Sequence, residues 1–265
     1  MTAANVIATN VITAFGVSAF CTLILPIVIL IVLAAKHKLS GLPLLAGFLS
    51  FFISQIILRL PLLQILSGQA WYAQFASNPL VAAIVIGGFS AALFEETARL
   101  VGASLLKKHR SYQDVLSFGL GHAFCEVIFL VGFSQLNNII ICLMVNSQQT
   151  DAMGNALSLV TQQMASVSPM LVYVGIVERV SAVAYHLFAT CLVFRAVTFK
   201  KPQYYFAALL AHTVFNAASA LLMNYFGIWV SEGVLLVAAI PMAVFVWRQK
   251  YVFLSHKTFA QTSMN

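Results

Sequence analysis

The stretch VITAFGVSAFCTLILPIVILIVLAA, residues 11–35, decides the fold class because it is long, apolar and free of charged side chains. A helix needs about 20 such residues to cross the hydrocarbon core of a bilayer. The first ten residues contain no Lys or Arg. We therefore expect this stretch to be a membrane anchor rather than a cleaved signal peptide.

The composition of the whole chain agrees with this first stretch. The chain has 265 residues, of which 61% are hydrophobic and 8% are charged, whereas soluble domains carry about 25% charged residues. This excludes a soluble domain and a disordered chain, and the four cysteines form no CxxC pair that would indicate a disulfide framework or a zinc knuckle. The predicted fold class is all-α, a polytopic transmembrane helix bundle forming a single integral membrane domain over residues 1–265. About seven spans are predicted, at roughly 11–35, 42–66, 79–106, 114–146, 169–196, 203–224 and 229–247.

The basic residues indicate how these spans are oriented. Lys and Arg occur after spans 1, 3 and 5 and in the tail, whereas the intervening segments 67–78, 147–168 and 225–228 contain none. By the positive-inside rule, the N-terminus is predicted outside and the C-terminus in the cytoplasm. Because the net charge of +7 arises from these span ends, we expect no nucleic-acid partner. The polar segment 147–168 is expected to form a short surface helix.

A few ionisable residues lie inside the predicted spans, where a charge costs about 2.5 kcal/mol or more. Such groups should face one another, a cation or trapped water. Counting from the predicted cytoplasmic end of each span places residues of four helices about 12–18 Å below the surface. This shared depth predicts one polar site that opens towards the cytoplasmic half of the membrane. Its members are Glu95, Glu96, Glu126, His122, His186 and His212.

Spacing within the helices supports this convergence. His122 and Glu126 are four residues apart, as are His212 and Asn216, so each pair shares a helix face. Arg99, one turn from Glu95, is expected to neutralise a glutamate.

A fourth acidic residue within the predicted spans, Glu178, lies two turns from His186 and outside this layer. We expect it to form a structural ion pair, with Arg179 or Arg59 as its partner.

The residue types in this layer are those of metal-assisted hydrolysis. Three imidazoles and a carboxylate match the ligands that zinc prefers. A further carboxylate beside water can act as a general base, and an amide can donate to a developing oxyanion. The predicted metal ligands are His122, His186, His212 and Glu126, with Glu95 or Glu96 as the base and Asn216 as the donor. No HExxH motif of soluble zinc proteases is present.

Two other interpretations stay open at this point. The same residues could form structural ion pairs, or they could relay protons or ions in a transporter. Transporters often show inverted repeats and broken helices, and no such repeat is evident in the sequence.

Three motifs resemble those of the superfamily of type II CAAX prenyl proteases and related bacterial membrane peptidases. They are Glu95-Glu96-Thr97-Ala98-Arg99, Phe118-x-x-x-His122 and His212-x-x-x-Asn216. Within that superfamily the chain looks most like the YhfC family of intramembrane metalloproteases. The stretch GLGHAFCE at residues 119–126 and the segment from Glu178-Arg179 to His186 carry this closer match. The motif-bearing core covers about residues 79–224.

The resemblance implies an intramembrane peptidase of the bacterial cytoplasmic (inner) membrane. It implies Glu95 or Glu96 as the water-activating base, His122 as its partner or a metal ligand, and His212 and Asn216 as groups near the oxyanion or the metal. Arg99 follows Glu96 after two residues rather than three, which is similar to the PrsW-type peptidases. A divalent metal, with zinc favoured, and a peptide or membrane-protein substrate surrounded by membrane lipid are the implied partners. The superfamily also contains a non-catalytic scaffold, so a scaffold role is a further alternative.

Overall fold

The protein is built from helices. A computed structural model describes residues 7–147, 154 and 156–262, and no strand occurs among them. Seven helices are long and apolar enough to cross a membrane, which confirms the predicted all-α polytopic class. The direction in which the termini face stays a prediction. The seven are α1 (Thr9–Ala35), α2 (Gly41–Ser67), α4 (Val81–Leu105), α5 (Tyr112–Asn146), α7 (Pro169–Thr198), α8 (Gln203–Phe226) and α9 (Ile228–Thr262).

Two short helices join these spans. Helix α6 (Leu157–Ala165) lies in the segment where a short helix was expected, although residues 148–153 and 155 of that segment lie outside the described residues. Helix α3 (Ala70–Ala76) was not predicted. Its Trp71 is exposed, as expected of an aromatic residue at a membrane interface.

The chain divides into two compact units. The first consists of Met1–Val32 with Glu126–Arg179, and the second consists of Leu33–Cys125 with Val180–Asn265. In the first unit, Asn146 accepts a hydrogen bond from the backbone of Ile7 at 2.7 Å and returns one to its carbonyl at 3.0 Å. These two bonds tie the residues just before α1 to the end of α5. The single domain expected from the sequence stays a prediction.

In the second unit, two glycines bring α2 and α5 into backbone contact. A Cβ atom on Gly47 would lie 1.9 Å from the carbonyl oxygen of Phe118, and one on Gly121 would lie 2.0 Å from that of Leu44. Any larger side chain would force the helices apart, because small residues are what allow such close approach. Ser50 lies three residues after Gly47 on α2 and His122 comes directly after Gly121 on α5, so the helix contact brings these two side chains together.

Candidate functional site: a buried glutamate and histidine cluster

Four helices of the second unit bring their ionisable side chains together. Helix α4 supplies two glutamates and an arginine, while α5, α7 and α8 each supply one histidine. All six side chains are buried, with exposed fractions of 5% or less. They include five of the six residues that the shared depth predicted to meet, whereas the sixth, Glu126, has a different partner. The residues are Glu95, Glu96, Arg99, His122, His186 and His212.

Glu95 lies at the centre of this cluster. Its Oε2 is 3.0 Å from Nε2 of His122 and 3.9 Å from Nδ1 of His186. Its Oε1 is 3.9 Å from Nε2 of His212 and accepts a hydrogen bond from Gln55 at 2.9 Å. One carboxylate therefore faces all three imidazoles that the sequence singled out.

Glu96 is held by a cation and an imidazole. Its Oε1 accepts hydrogen bonds from Nη1 of Arg99 and, at 2.7 Å, from Nδ1 of His212. Charged partners of this kind offset the cost of burying a carboxylate. Within the described part of the chain, Oε2 of Glu96 has no hydrogen-bond partner. The buried hydroxyl of Tyr185 interacts with the same carboxylate.

Arg99 joins the two halves of the cluster. While Nη1 binds Glu96, Nη2 lies 2.9 Å from Nδ1 of His186. A guanidinium can only donate, so Nδ1 of His186 accepts. Arg99 therefore orients the ring of His186 and also offsets the negative charge of Glu96.

Polar residues of α2 that the sequence analysis did not assign to the site hold Glu95 and His122 in place. Gln55 donates to Glu95 and in turn accepts from Nη1 of Arg59 at 3.0 Å. Ser50 Oγ lies 2.8 Å from Nδ1 of His122. Several polar residues, among them Ser50, Gln55 and Arg59, occur within a mostly apolar span, and this pattern in the sequence could have indicated their role. Arg59, considered above as a partner of Glu178, bonds Gln55 instead.

Tyr185 is a second residue that the sequence analysis missed. It precedes His186, is 1% exposed, and its ring centroid lies 5.0 Å from that of His212. A tyrosine in an apolar helix gives no sign of this position, because its ring also suits ordinary packing.

Two of the predicted site residues, Glu126 and Asn216, have other partners, whereas Arg179 forms one of the two ion pairs expected for Glu178. Arg179 binds Glu126 at 2.8 Å and Glu178 at 2.5 Å, and all three belong to the first unit. Asn216 donates to the carbonyl of Gly87 at 3.4 Å. The structure thus gives Glu126 an ion pair, and it directs the amide of Asn216 to the backbone of α4.

Three buried side chains could together bind a metal ion. Within the described residues, Glu95, His122 and His186 offer ligand atoms that all lie within 4.8 Å of one another. Two imidazoles and one carboxylate are a known set of protein ligands for catalytic zinc, which leaves a further position for water or substrate. Compared with the predicted set, Glu95 joins the histidines, and His212 contacts Glu96 instead.

An apolar cavity of about 830 Å³ lies between α2 and α4 in the same unit. Its wall includes Leu49, Ile53 and Val101, and it reaches Ser50, the residue that contacts His122. An apolar chain placed in this cavity would therefore contact Ser50, which in turn contacts His122.

Comparisons with known proteins agree with the resemblance stated above. A family model described as YhfC intramembrane metalloprotease matches residues 21–237. The uncharacterized membrane protein YhfC of Bacillus subtilis (strain 168) is 28% identical over 206 residues, which cover 75% of this chain and 80% of the relative. No solved structure matches the chain significantly.

Proposed function

The chain belongs to the YhfC intramembrane metalloprotease family, and from this premise we propose that it hydrolyses a peptide bond inside the membrane. The observation that carries the proposal is the buried group formed by Glu95, His122 and His186. A bilayer-spanning chain does not place ionisable groups together in this way without a large cost. Hydrolysis gives these groups a use, because they could hold a metal ion and the water molecule that attacks the carbonyl.

Glu95, His122 and His186 would hold a divalent metal, and zinc suits their donor atoms best. When bound, such an ion acidifies a water molecule and polarises the scissile carbonyl. The separation of the ligand atoms and the complete burial of His122 support this assignment. His212 would serve the carboxylate of Glu96 rather than the metal, because its Nδ1 bonds that carboxylate.

Glu96 would take the proton from the attacking water. Its Oε1 is occupied by Arg99 and His212, while its Oε2 is the oxygen without a hydrogen-bond partner among the described residues. A general base must reach the proton it abstracts within about 3 Å or through one water. Arg99 contacts both Glu96 and His186, so this base lies next to the proposed metal ligands.

The substrate would be an apolar peptide or membrane protein that reaches the cluster through the lipid. The cavity between α2 and α4 supports this class of substrate, because hydrocarbon side chains such as Leu49 and Val101 form most of its wall. Burying apolar surface there is favourable without polar recognition. We place the protein in the cytoplasmic membrane of a bacterium, with the site in the cytoplasmic half.

Purified protein tests the proposal through metal content and peptide cleavage. Elemental analysis should find stoichiometric zinc, cobalt or manganese, and fluorescent membrane-peptide libraries should be cleaved. We expect Glu95→Gln to lose both metal and cleavage, and Glu96→Gln to lose cleavage while keeping metal. Glu126→Gln is the matched control, since this glutamate pairs with Arg179. Cleavage unchanged in both Glu95→Gln and Glu96→Gln would reject the catalytic assignment, and active protein without metal would reject the ion.

Proton-coupled transport is a second candidate, and one observation favours it. His122, Glu95, His212 and Glu96 form a row of neighbouring titratable groups, as proton relays in transporters do. Reconstituted liposomes would then show proton-coupled flux that Glu95→Gln abolishes. Peptide cleavage without any flux would reject this candidate.

A further inference from the structure

We propose that Ser50 is a positioning residue that keeps the proton of His122 on Nδ1 and leaves Nε2 free to bind a metal. Ser50 belongs to α2. Among the described residues it forms no hydrogen bond to Glu95 or His186, the other two members of the group that could bind a metal. Its role in metal binding rests on the proposed function, whereas its effect on the proton of His122 does not.

The geometry around Ser50 joins three groups in a row. Its Oγ lies 2.7 Å from the carbonyl oxygen of Gly47, one turn earlier on α2, and 2.8 Å from Nδ1 of His122. Ser50 is 7% exposed and His122 is fully buried. The rings of Phe51 and His122 pack edge to face, with centroids 5.2 Å apart and an interplanar angle of 85°.

Counting protons decides the direction of these hydrogen bonds. A serine hydroxyl has one proton, and a carbonyl oxygen can only accept. If Ser50 donated to His122, its oxygen would face the carbonyl of Gly47 at 2.7 Å without a hydrogen between them. Both contacts are hydrogen bonds only when Ser50 donates to Gly47 and Nδ1–H of His122 donates to Ser50.

This arrangement determines what His122 presents to Glu95. A neutral imidazole carries one proton, so a proton on Nδ1 leaves a lone pair on Nε2. In the neutral ring, Nε2 then approaches Oε2 of Glu95, 3.0 Å away, with a lone pair, and a second proton on Nε2 would turn this contact into an ion pair. Two acceptors at this distance need a cation between them, either a proton on Nε2 or a metal ion that takes the place of that proton. Hydrogen bonds behind a ligating imidazole commonly select its metal-binding nitrogen in this way.

Removal of the Ser50 hydroxyl should reverse the arrangement. Nδ1 would lose its acceptor, and the proton would move to Nε2, where Glu95 can accept it. The resulting Nε2–H bond would occupy both atoms that the metal requires. Ser54 offers a matched control, because it is a buried serine one turn further along α2 whose hydroxyl donates to the carbonyl of Phe51 at 3.2 Å.

The first test follows the proton directly in metal-free protein. Histidine-selective ¹⁵N labelling would report the protonated ring nitrogen, with the His122 signal identified by its loss in His122→Gln. Nδ1 should carry a proton in the unmodified protein, in Ser54→Ala and in Ser50→Thr, which keeps a hydroxyl. In Ser50→Ala the proton should be found on Nε2. An unprotonated Nδ1 in the unmodified protein, or no change in Ser50→Ala, would overturn the proposal.

The second test measures zinc affinity by competition with a chromophoric chelator. We expect Ser50→Ala to weaken zinc binding about 10–100-fold, as loss of such supporting groups does, and Ser54→Ala to leave it unchanged. Equal affinities in Ser50→Ala and Ser54→Ala would contradict the role in metal binding. If no variant binds zinc while the ¹⁵N result is as expected, Ser50 still positions His122, and it is the metal in the proposed function that fails.

Discussion

Nη2 of Arg99 lies 2.9 Å from Nδ1 of His186, so a fixed cation bonds one of the three side chains that could hold a metal. The same nitrogen is 3.9 Å from Oε2 of Glu95. Arg99 therefore occupies the position from which an ion would approach Nδ1 of His186. A metal ion bound at Nδ1 of His186 would therefore have to displace this contact with Arg99.

The effects of replacing Arg99 and Glu96 on the free energy of unfolding should be strongly coupled. Arg99→Leu leaves a buried carboxylate without its cation, which costs about 3–5 kcal/mol in buried pairs. Glu96→Gln combined with Arg99→Leu removes both charges and should recover a large part of that loss. Chemical unfolding in detergent of both single variants and the double variant measures the coupling. Additive losses, equal to the sum of the single variants, would contradict a shared ion pair.

His186 and His212 should differ in what they support. His186 belongs to the group that could bind a metal ion, whereas His212 bonds Glu96. We therefore expect His186→Gln to lose bound metal and His212→Gln to retain it. Cleavage should fall about 100-fold or more in His212→Gln, in line with the contribution of proton transfer by a positioned base. Elemental analysis paired with a cleavage assay separates the two. Equal loss of metal in both variants would contradict the assignment.

The sequence predicted the helices and the meeting of their charges because both follow from the cost of polar groups in a bilayer. It could not predict which atoms meet. Glu126 shares a helix face with His122, yet its partner is Arg179, because spacing along one helix says nothing about the helix opposite. Ser50 and Gln55 escaped notice because single polar residues in a span are inexpensive, so their types do not distinguish a supporting role from a neutral one.

Asn216 should matter less than its motif suggests. Its amide donates to the carbonyl of Gly87 at 3.4 Å, near the limit for a hydrogen bond. Asn216→Ala should therefore change the free energy of unfolding by about 1 kcal/mol or less and cleavage by only a few-fold. Initial rates on a fluorescent membrane peptide provide the measurement. A loss of cleavage comparable to that of Glu96→Gln would show that Asn216 acts on the substrate after all.

The contact between α2 and α5 should be required for the site to assemble. A Cβ atom at Gly121 would lie 2.0 Å from the carbonyl oxygen of Leu44, so Gly121→Ala must push the helices apart and stretch the bond between Ser50 and His122. Overpacking of this kind costs about 1–3 kcal/mol or more. Thermal unfolding in detergent should shift downward, and zinc affinity should fall with it.

Gly16→Ala provides the control for the same substitution in another span. Gly16 lies inside α1, and a Cβ atom there would have no atom within 4 Å among the described residues. Because alanine favours a helix interior over glycine by about 0.5–1 kcal/mol, this variant should unfold at the same temperature or higher and should bind zinc normally. If Gly121→Ala behaved like Gly16→Ala in both measurements, the backbone contact would not be what holds Ser50 against His122.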